Sequence, residues 1–292
     1  MSILSYQQVA SDGCDGAEPT CPNYWFDPGF TRALNDAYHP FLSWYFGAST
    51  ASPGVSSGAA ADEKPGGAPG SIIGFERIPP IRPAILIMNH SGMSFPWDAL
   101  LAMHVLQAAG KGARHWMPRA LAVRGLFALP GLNQLAVRMG IWPASMSSLE
   151  HLIRHGELLL HFPEGLDGLA KGWSRRYRLR KFRTGVFLLA ARYRVPVLPV
   201  ACVGAESFNP LAVNLATAGR VFGIPMFPLS PLQLLLYPHF ASAFPFVLPS
   251  RVTFHVGDPL YIPEGAERDR RILEEIAWHA RRTIQEMLDA NR

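Results

Sequence analysis

Three short apolar runs in this chain each stop at a polar or glycine-bearing corner. Residues 84–88, Ala-Ile-Leu-Ile-Met, run into Asn89-His90-Ser91-Gly92. Residues 157–162, Glu-Leu-Leu-Leu-His-Phe, run into Pro163-Glu164-Gly165, and the Val- and Pro-bearing run 195–203 ends in Gly204-Ala205-Glu206. Such runs mark strands buried on both faces, as in a parallel sheet. Residues 251–260 read as a late strand, and 114–118 and 140–142 as short ones. Between them lie helical patterns. Residues 99–109 lack breakers and read as a buried helix, with Pro96 in its first turn, where a missing N–H costs nothing. Residues 121–137 are helical in pattern and broken near Pro130-Gly131. Residues 147–155 form a helix closed by Gly156, and 267–288 a charge-rich amphipathic helix. Phe182, Val186, Leu189 or Ala190, and Tyr193 recur at helical spacing, with Arg180, Arg183, Arg192 and Arg194 turned away.

Strands alternating with helices predict an α/β fold with a largely parallel central sheet flanked by helices. Residues 30–46 read as an amphipathic helix anchored by Leu34, Tyr38, Leu42, Trp44, Tyr45 and Phe46, suited either to a membrane interface or to packing across the domain. Residues 1–23 are polar and turn-rich. Residues 48–70 are mostly Ala, Gly, Ser and Pro, a flexible insert by composition.

The chain has 292 residues, enough for one large α/β domain or two small ones. Hydrophobic residues make up 49% and charged residues 17%, which supplies a core and leaves some apolar surface. The net charge of +5 favours anionic partners, namely membrane headgroups or phosphorylated substrates. Nucleic acid is the weakest partner, because no basic tail, zinc-finger spacing or aromatic RNA-binding signature is present. Cys14, Cys21 and Cys202 read as unpaired thiols. The N-terminus lacks the basic region and apolar core of a signal peptide, so a cytoplasmic location is expected. Residues 209–250 hold one formal charge, Arg220, and prolines at 225, 228, 231, 238, 245 and 249. No run of about 20 apolar residues survives them, so a monotopic surface is expected rather than a span. On it Phe222, Phe227, Leu234, Leu235, Phe240 and Phe246 would face lipid or an acyl tunnel.

The candidate chemistry sits where the strands end, since open α/β sheets bind ligands there. His90, Glu164 and Glu206 can share one such edge. Asp98 falls in the first turn of the helix after His90. A carboxylate on the far imidazole nitrogen fixes the tautomer and raises basicity, so the pair can take a proton from an alcohol. In the basic stretch 171–183, Lys171, Arg175 and Arg178 are the preferred phosphate contacts. Arg175 and Arg178 are three apart and would share a helical face. His151 and His155, with His161 nearby, raise a zinc site. No glutamate follows His151 in the His-Glu-x-x-His pattern and His161 lies in a strand, so no metal is expected. A Gly-x-Ser-x-Gly elbow is missing, and no covalent intermediate is required.

These stretches together resemble the phospholipid/glycerol acyltransferase superfamily, the lysophosphatidate acyltransferase-like enzymes. Ile72-Ile-Gly-Phe-Glu-Arg-Ile-Pro is similar to the strand before the first motif. Asn89-His90 and Asp98 resemble its His…Asp motif, and Phe162-Pro163-Glu164-Gly165 its acceptor-binding motif. Val195-Pro-Val-Leu-Pro-Val200 is similar to the hydrophobic fourth motif, and Val256-Gly-Asp-Pro to the closing strand. The likeness covers roughly residues 71–263. Seven residues separate His90 from Asp98, where four are common. Leu166-Asp167-Gly168 replaces the usual Thr-Arg-Ser, and the second motif's arginine is not visible near Gly140-Ile-Trp-Pro. Lys171, Arg175, Arg176 and Arg178 could substitute, or the acceptor could be a neutral lipid alcohol.

The resemblance implies residues 1–70 as an N-terminal helix and insert, and 71–292 as the acyltransferase domain. It implies acyl transfer from an acyl thioester, on coenzyme A or acyl carrier protein, to a glycerolipid or lysophospholipid hydroxyl at the membrane surface, without a cofactor. His90 would be the general base and Asp98 its orienting acid. Asn89, Ser91, Gly92, Phe162, Pro163, Glu164 and Gly165 would contact substrate. Backbone N–H groups after His90, or near Pro96 to Asp98, are the expected oxyanion donors. The rival readings are a non-catalytic lipid-binding or scaffold protein of the same fold, and a thioesterase with water as acceptor.

Overall fold

The computed structural model describes residues 26–46, 71–80, 83–92, 95–128, 130–215, 228–231 and 247–292. In chain order they form α1 (Pro28–Phe46), β1 (Ile72–Ile73), β2 (Ala84–Met88), α2 (Trp97–Ala109), β3 (Arg119–Ala122), α3 (Leu132–Arg138), β4 (Ile141–Pro143), α4 (Met146–Arg154) and β5 (Leu158–His161). Then follow α5 (Leu166–Leu169), α6 (Gly185–Tyr193), β6 (Val197–Val203), β7 (Val213–Asn214), β8 (Pro228–Leu229), β9 (Thr253–Val256) and α7 (Arg270–Asn291).

The main sheet has the order β1-β9-β6-β2-β5-β3-β4. Its five strands β6, β2, β5, β3 and β4 run parallel. β9 reverses against β6, and β1 runs with β9. This is the expected mostly parallel sheet flanked by helices. Because the five parallel strands share a direction, their carboxyl ends share one edge. The strands holding His90, Glu164 and Glu206 are the adjacent trio β2, β5 and β6. A second, two-stranded sheet pairs β7 with β8.

Both faces of the trio are covered, so all residues of β2 and β6 are buried. Alternate residues face opposite layers. Ala84, Leu86 and Met88 pack with Leu42 and Phe46 of α1 and with α2. Ile85 and Ile87 pack against α4, α6 and α7 through residues such as Leu152, Phe187 and Ile284. The caps follow local chemistry: the Ser145 hydroxyl accepts the Ser148 N–H at the start of α4, and Asp269 accepts from Arg271 N at α7.

Three local expectations change. Residues 114–118 hold a single 3-10 turn at Arg114–Trp116, and the strand starts at Arg119. The helical pattern at 121–137 starts instead as the end of β3, continues as a 3-10 turn at Arg124–Ala128, and becomes α3 only after Gly131. Ala120 and Leu121 form helices well in isolation, but the ladder to β4 and β5 overrides that preference. The stretch 176–184 is irregular, so Arg175 and Arg178 share no helical face and Arg180 and Arg183 precede α6.

Helix α1 covers the domain with Leu42 and Phe46 while Tyr38, Phe41 and Trp44 stay exposed. Cys202 is buried and unpaired in β6. Cys14, Cys21, the insert at 48–70, and Phe222, Phe227, Leu234, Leu235, Phe240 and Phe246 lie outside the described residues.

Candidate active site

Asn89 begins the corner after β2. Its side chain donates to Cys202 O at 3.0 Å and accepts from Cys202 N at 2.7 Å. This pair of hydrogen bonds to β6 fixes where His90 emerges. Asp98, fully buried in the first turn of α2, then gathers three donors. Its Oδ2 accepts from His90 Nδ1 and from Ser91 N, both at 2.8 Å, and its Oδ1 accepts from Ala99 N at 2.9 Å. A helix N-terminus favours such an anion. With Asp98 ionised, Nδ1 must donate, which leaves the lone pair on Nε2. The His90 side chain keeps 11% exposure against 0% for Asp98, so the ring alone of this pair reaches the surface. The Phe162 ring covers it at 4.2 Å between centroids.

Glu164 holds the corner from the next strand. Its Oε1 accepts the His90 backbone N–H at 3.1 Å and its Oε2 accepts the Arg180 N–H at 2.6 Å. A Cβ on Gly168 would come within 2.7 Å of Glu164 Cβ, so only glycine lets α5 close over this carboxylate. Gly92 is held at φ +103°, and a Cβ there would meet the Phe208 ring at 2.9 Å. The Asn209 amide donates to Gly92 O. The corner after His90 is therefore clamped from α2, β5 and β6 together.

The acyltransferase family model matches residues 71–203, a stretch that contains the whole His90–Asp98–Glu164 arrangement. An uncharacterized protein of Mycobacterium leprae is 30% identical over 276 residues, which cover 92% of this chain and 67% of that protein. The chain belongs to the acyltransferase family. The resemblance carried by its motifs led to the same family. An uncharacterized protein of Mycobacterium tuberculosis is 33% identical over 224 residues, 74% of this chain and 60% of its own length. The chain thus spans roughly 60% to two thirds of the length of these relatives. The chloroplastic 1-acyl-sn-glycerol-3-phosphate acyltransferase of Arabidopsis thaliana is 24% identical over 151 residues, 48% of this chain and 37% of that enzyme. Among solved structures, the 1-acyl-sn-glycerophosphate acyltransferase PlsC of Thermotoga maritima aligns with a TM-score of 0.49 at 16% identity, covering 98% of this chain and 88% of that one.

Within this member of the acyltransferase family, the residues expected at the site divide into groups. His90, Asp98, Phe162 and Glu164 come together. Asn89 and Glu164 differ from expectation, because both are fully buried and their side chains bind backbone. Pro163 and Gly165 shape the turn: Pro163 O accepts Arg183 N, and Gly165 N donates to Phe162 O, both at 2.9 Å. Two of the amides expected as oxyanion donors, those of Ser91 and Trp97, have partners within the chain. The N–H groups of His90 and Ser91 go to Glu164 and Asp98, and that of Trp97 goes to Phe95 O. Lys171 is buried, with Nζ 2.8 Å from Glu206 Oε1, whereas Arg175 and Arg178 are exposed.

His151 and His155 stack with centroids 3.9 Å apart, so their nitrogens do not converge. Among the described residues no group of three or more His, Cys, Asp or Glu could hold a metal ion. The buried Arg119–Glu157 pair sits at the first residue of β3 and just before β5, and so occupies the opposite edge of the sheet. Sequence reading missed Asn209 and the Arg180 backbone, which act across 117 and 16 residues with no local signal.

Proposed function

We propose that the chain is an O-acyltransferase moving a fatty acyl group from an acyl thioester, on coenzyme A or acyl carrier protein, to the hydroxyl of a glycerolipid or lysophospholipid. The 2.8 Å bond between His90 Nδ1 and Asp98 Oδ2, in a chain of this family, carries the reading. Asp98 keeps the Nε2 lone pair toward the acceptor. Nε2 takes the hydroxyl proton as the oxygen adds to the thioester carbonyl. The C–S bond then breaks, and the imidazolium returns the proton to the departing thiolate. Such positioned base catalysis contributes about 10²–10⁴-fold. Glu164 holds the His90 backbone while this happens.

Arg175 and Arg178 stand exposed on the loop that closes over Glu164, and would bind phosphates of the donor or the acceptor. The exposed aromatic face of α1, Tyr38, Phe41 and Trp44, would rest in the headgroup region of the cytoplasmic leaflet. Among the described residues no helix is long and apolar enough to cross a membrane.

The test incubates the protein with a labelled acyl thioester and a panel of phosphorylated and neutral lipid alcohols, then identifies the product. Transfer to a lipid hydroxyl, abolished in His90→Ala, is the expected result. Release of free fatty acid alone would make the enzyme a thioesterase. Lipid binding without turnover would make it a scaffold.

A further inference from the structure

Helix α7, from the far end of the chain, reaches back to the loop over Glu164. Arg281 and Gln285 are four apart, so they share one face of α7. The Gln285 amide clips the chain on both sides of Arg178. Its Nε2 donates to Tyr177 O at 2.7 Å, and its Oε1 accepts the Leu179 N–H at 3.0 Å. The Arg281 guanidinium caps the next two carbonyls: Nη2 donates to Leu179 O at 2.8 Å and Nε to Arg180 O at 3.0 Å. Tyr177 is held at φ +57°, a left-handed conformation that residues with a Cβ rarely adopt. Its own N–H donates to Glu206 Oε1 at 3.2 Å, so both of its peptide groups are tied to side chains from elsewhere in the chain. Strain of this kind persists only where the surroundings over-determine it, and it gathers at functional sites. Three residues on, the Arg180 N–H meets Glu164 Oε2 at 2.6 Å, and Glu164 Oε1 accepts the His90 N–H at 3.1 Å.

We propose that Gln285 and Arg281 are positioning residues, which hold residues 177–180 in the conformation that brings the Arg180 N–H to Glu164 and so fix the backbone of His90. The catalytic consequence rests on the acyl-transfer reading; the structural one does not. Every link is a direct hydrogen bond: α7 to the loop, the loop to Glu164, Glu164 to His90. The buried Leu179 side chain also anchors the loop, but apolar contact is non-directional and does not set where the peptide groups point. Without Gln285, Tyr177 O and the Leu179 N–H lose their shared partner, and Tyr177 can leave the left-handed region. A change in its two dihedrals redirects the chain after it, and the Arg180 N–H leaves the carboxylate. Glu164 is fully buried, so its freed Oε2 must find another donor, and its shift takes the His90 corner with it.

The experiment records backbone amide ¹H–¹⁵N shifts of the full chain, labelled with ¹⁵N-arginine and ¹⁵N-histidine, without substrate. The Arg180 and His90 signals are assigned by their loss in Arg180→Lys and His90→Gln. An amide proton bonded to a carboxylate resonates downfield, so Gln285→Leu should move the Arg180 signal upfield and displace that of His90. The signal of His255 in β9, assigned by His255→Gln, should stay in place as the control. Arg281→Leu should act in the same way and Arg281→Lys less, because an ammonium still donates to one of the carbonyls. The kinetic readout is kcat at saturating acyl thioester and lipid alcohol, because Arg178 lies within the clipped stretch and its displacement would act on KM. In Gln285→Leu kcat should fall by up to about 10²-fold. Arg180 and His90 signals that stay in place in folded Gln285→Leu, or an unchanged kcat despite their displacement, overturn the inference. Should Gln285→Leu fail to fold, Arg281→Lys against wild type decides by the same signals. If wild type acylates no lipid alcohol, the acyl-transfer reading fails while the amide signals still judge the clamp.

Discussion

The Glu164 carboxylate accepts the backbone N–H of His90 at 3.1 Å, across two neighbouring parallel strands. Its other oxygen accepts the Arg180 N–H at 2.6 Å, so one buried side chain joins the histidine corner to the loop that covers it. Glu164→Gln keeps the shape but turns an NH₂ toward one of those donors. Leaving a buried donor unmet costs about 1–3 kcal/mol. The variant should melt earlier and lose kcat, with little change in KM for the lipid alcohol. A pure rise in KM would assign Glu164 to acceptor contact instead.

His90→Ala removes the proposed base but no structural bond beyond that to Asp98. Activity should fall by about 10²–10⁴-fold with circular dichroism unchanged. Steady-state turnover of an acyl thioester with lipid alcohol measures this.

Asp98→Asn tests the orienting acid. The carboxylate accepts three N–H groups, and an amide cannot accept from all of them. Activity should drop by at least about 10²-fold, as the ring loses its fixed tautomer. Thermal stability should fall more than in His90→Ala, because the variant places an NH₂ against buried donors that include the Ser91 amide. Differential scanning calorimetry of the two variants side by side gives the ordering.

The α1–α2 contact should be acid-sensitive. His104 is buried with Nε2 3.2 Å from His39 Nδ1, and burial lowers its pKa from 6.5 to about 4, with His39 adding to the shift. The unfolded chain therefore binds a proton first as pH falls. Stability from this group is complete above about pH 6.5 and is lost on the way to about pH 4. His161 is lowered to about 4 in the same way, by burial and then by Arg183. Melting temperature should decline across that window, and His104→Gln should flatten part of the decline.

Replacing Phe41 and Trp44 of the exposed α1 face by serine should abolish flotation with anionic liposomes at low salt. Exposed substitutions of this kind change stability by only about 0.5 kcal/mol, so the melting curve is the control. Flotation equal to wild type would move membrane contact to another surface.

Much of the fold was legible because period and composition are local properties. The apolar runs at β2, β5 and β6 read as buried strands, and their polar corners fall together at one edge of the sheet. The basic loop was not legible as structure. Its arginines match a helical face by spacing, yet the stretch 176–184 is held irregular by distant groups. Arg281 donates to Leu179 O, and the Gln285 amide donates to Tyr177 O. Both partners come from the far end of the chain, and no window around residue 180 contains them.

By itself the sequence determined the strand-and-helix alternation, the acyltransferase motifs, and the placement of an imidazole and a carboxylate at the start of one loop and the next helix. Tertiary structure alone decided which acids touch ligand-facing groups and which hold backbone. It seated Glu164 and Asn89 inside, turned Lys171 from a surface cation into a buried counterion, and engaged the amides of His90 and Ser91. The reason is that burial and pairing depend on neighbours brought together by the sheet order β6-β2-β5, and that order is a property of the whole chain.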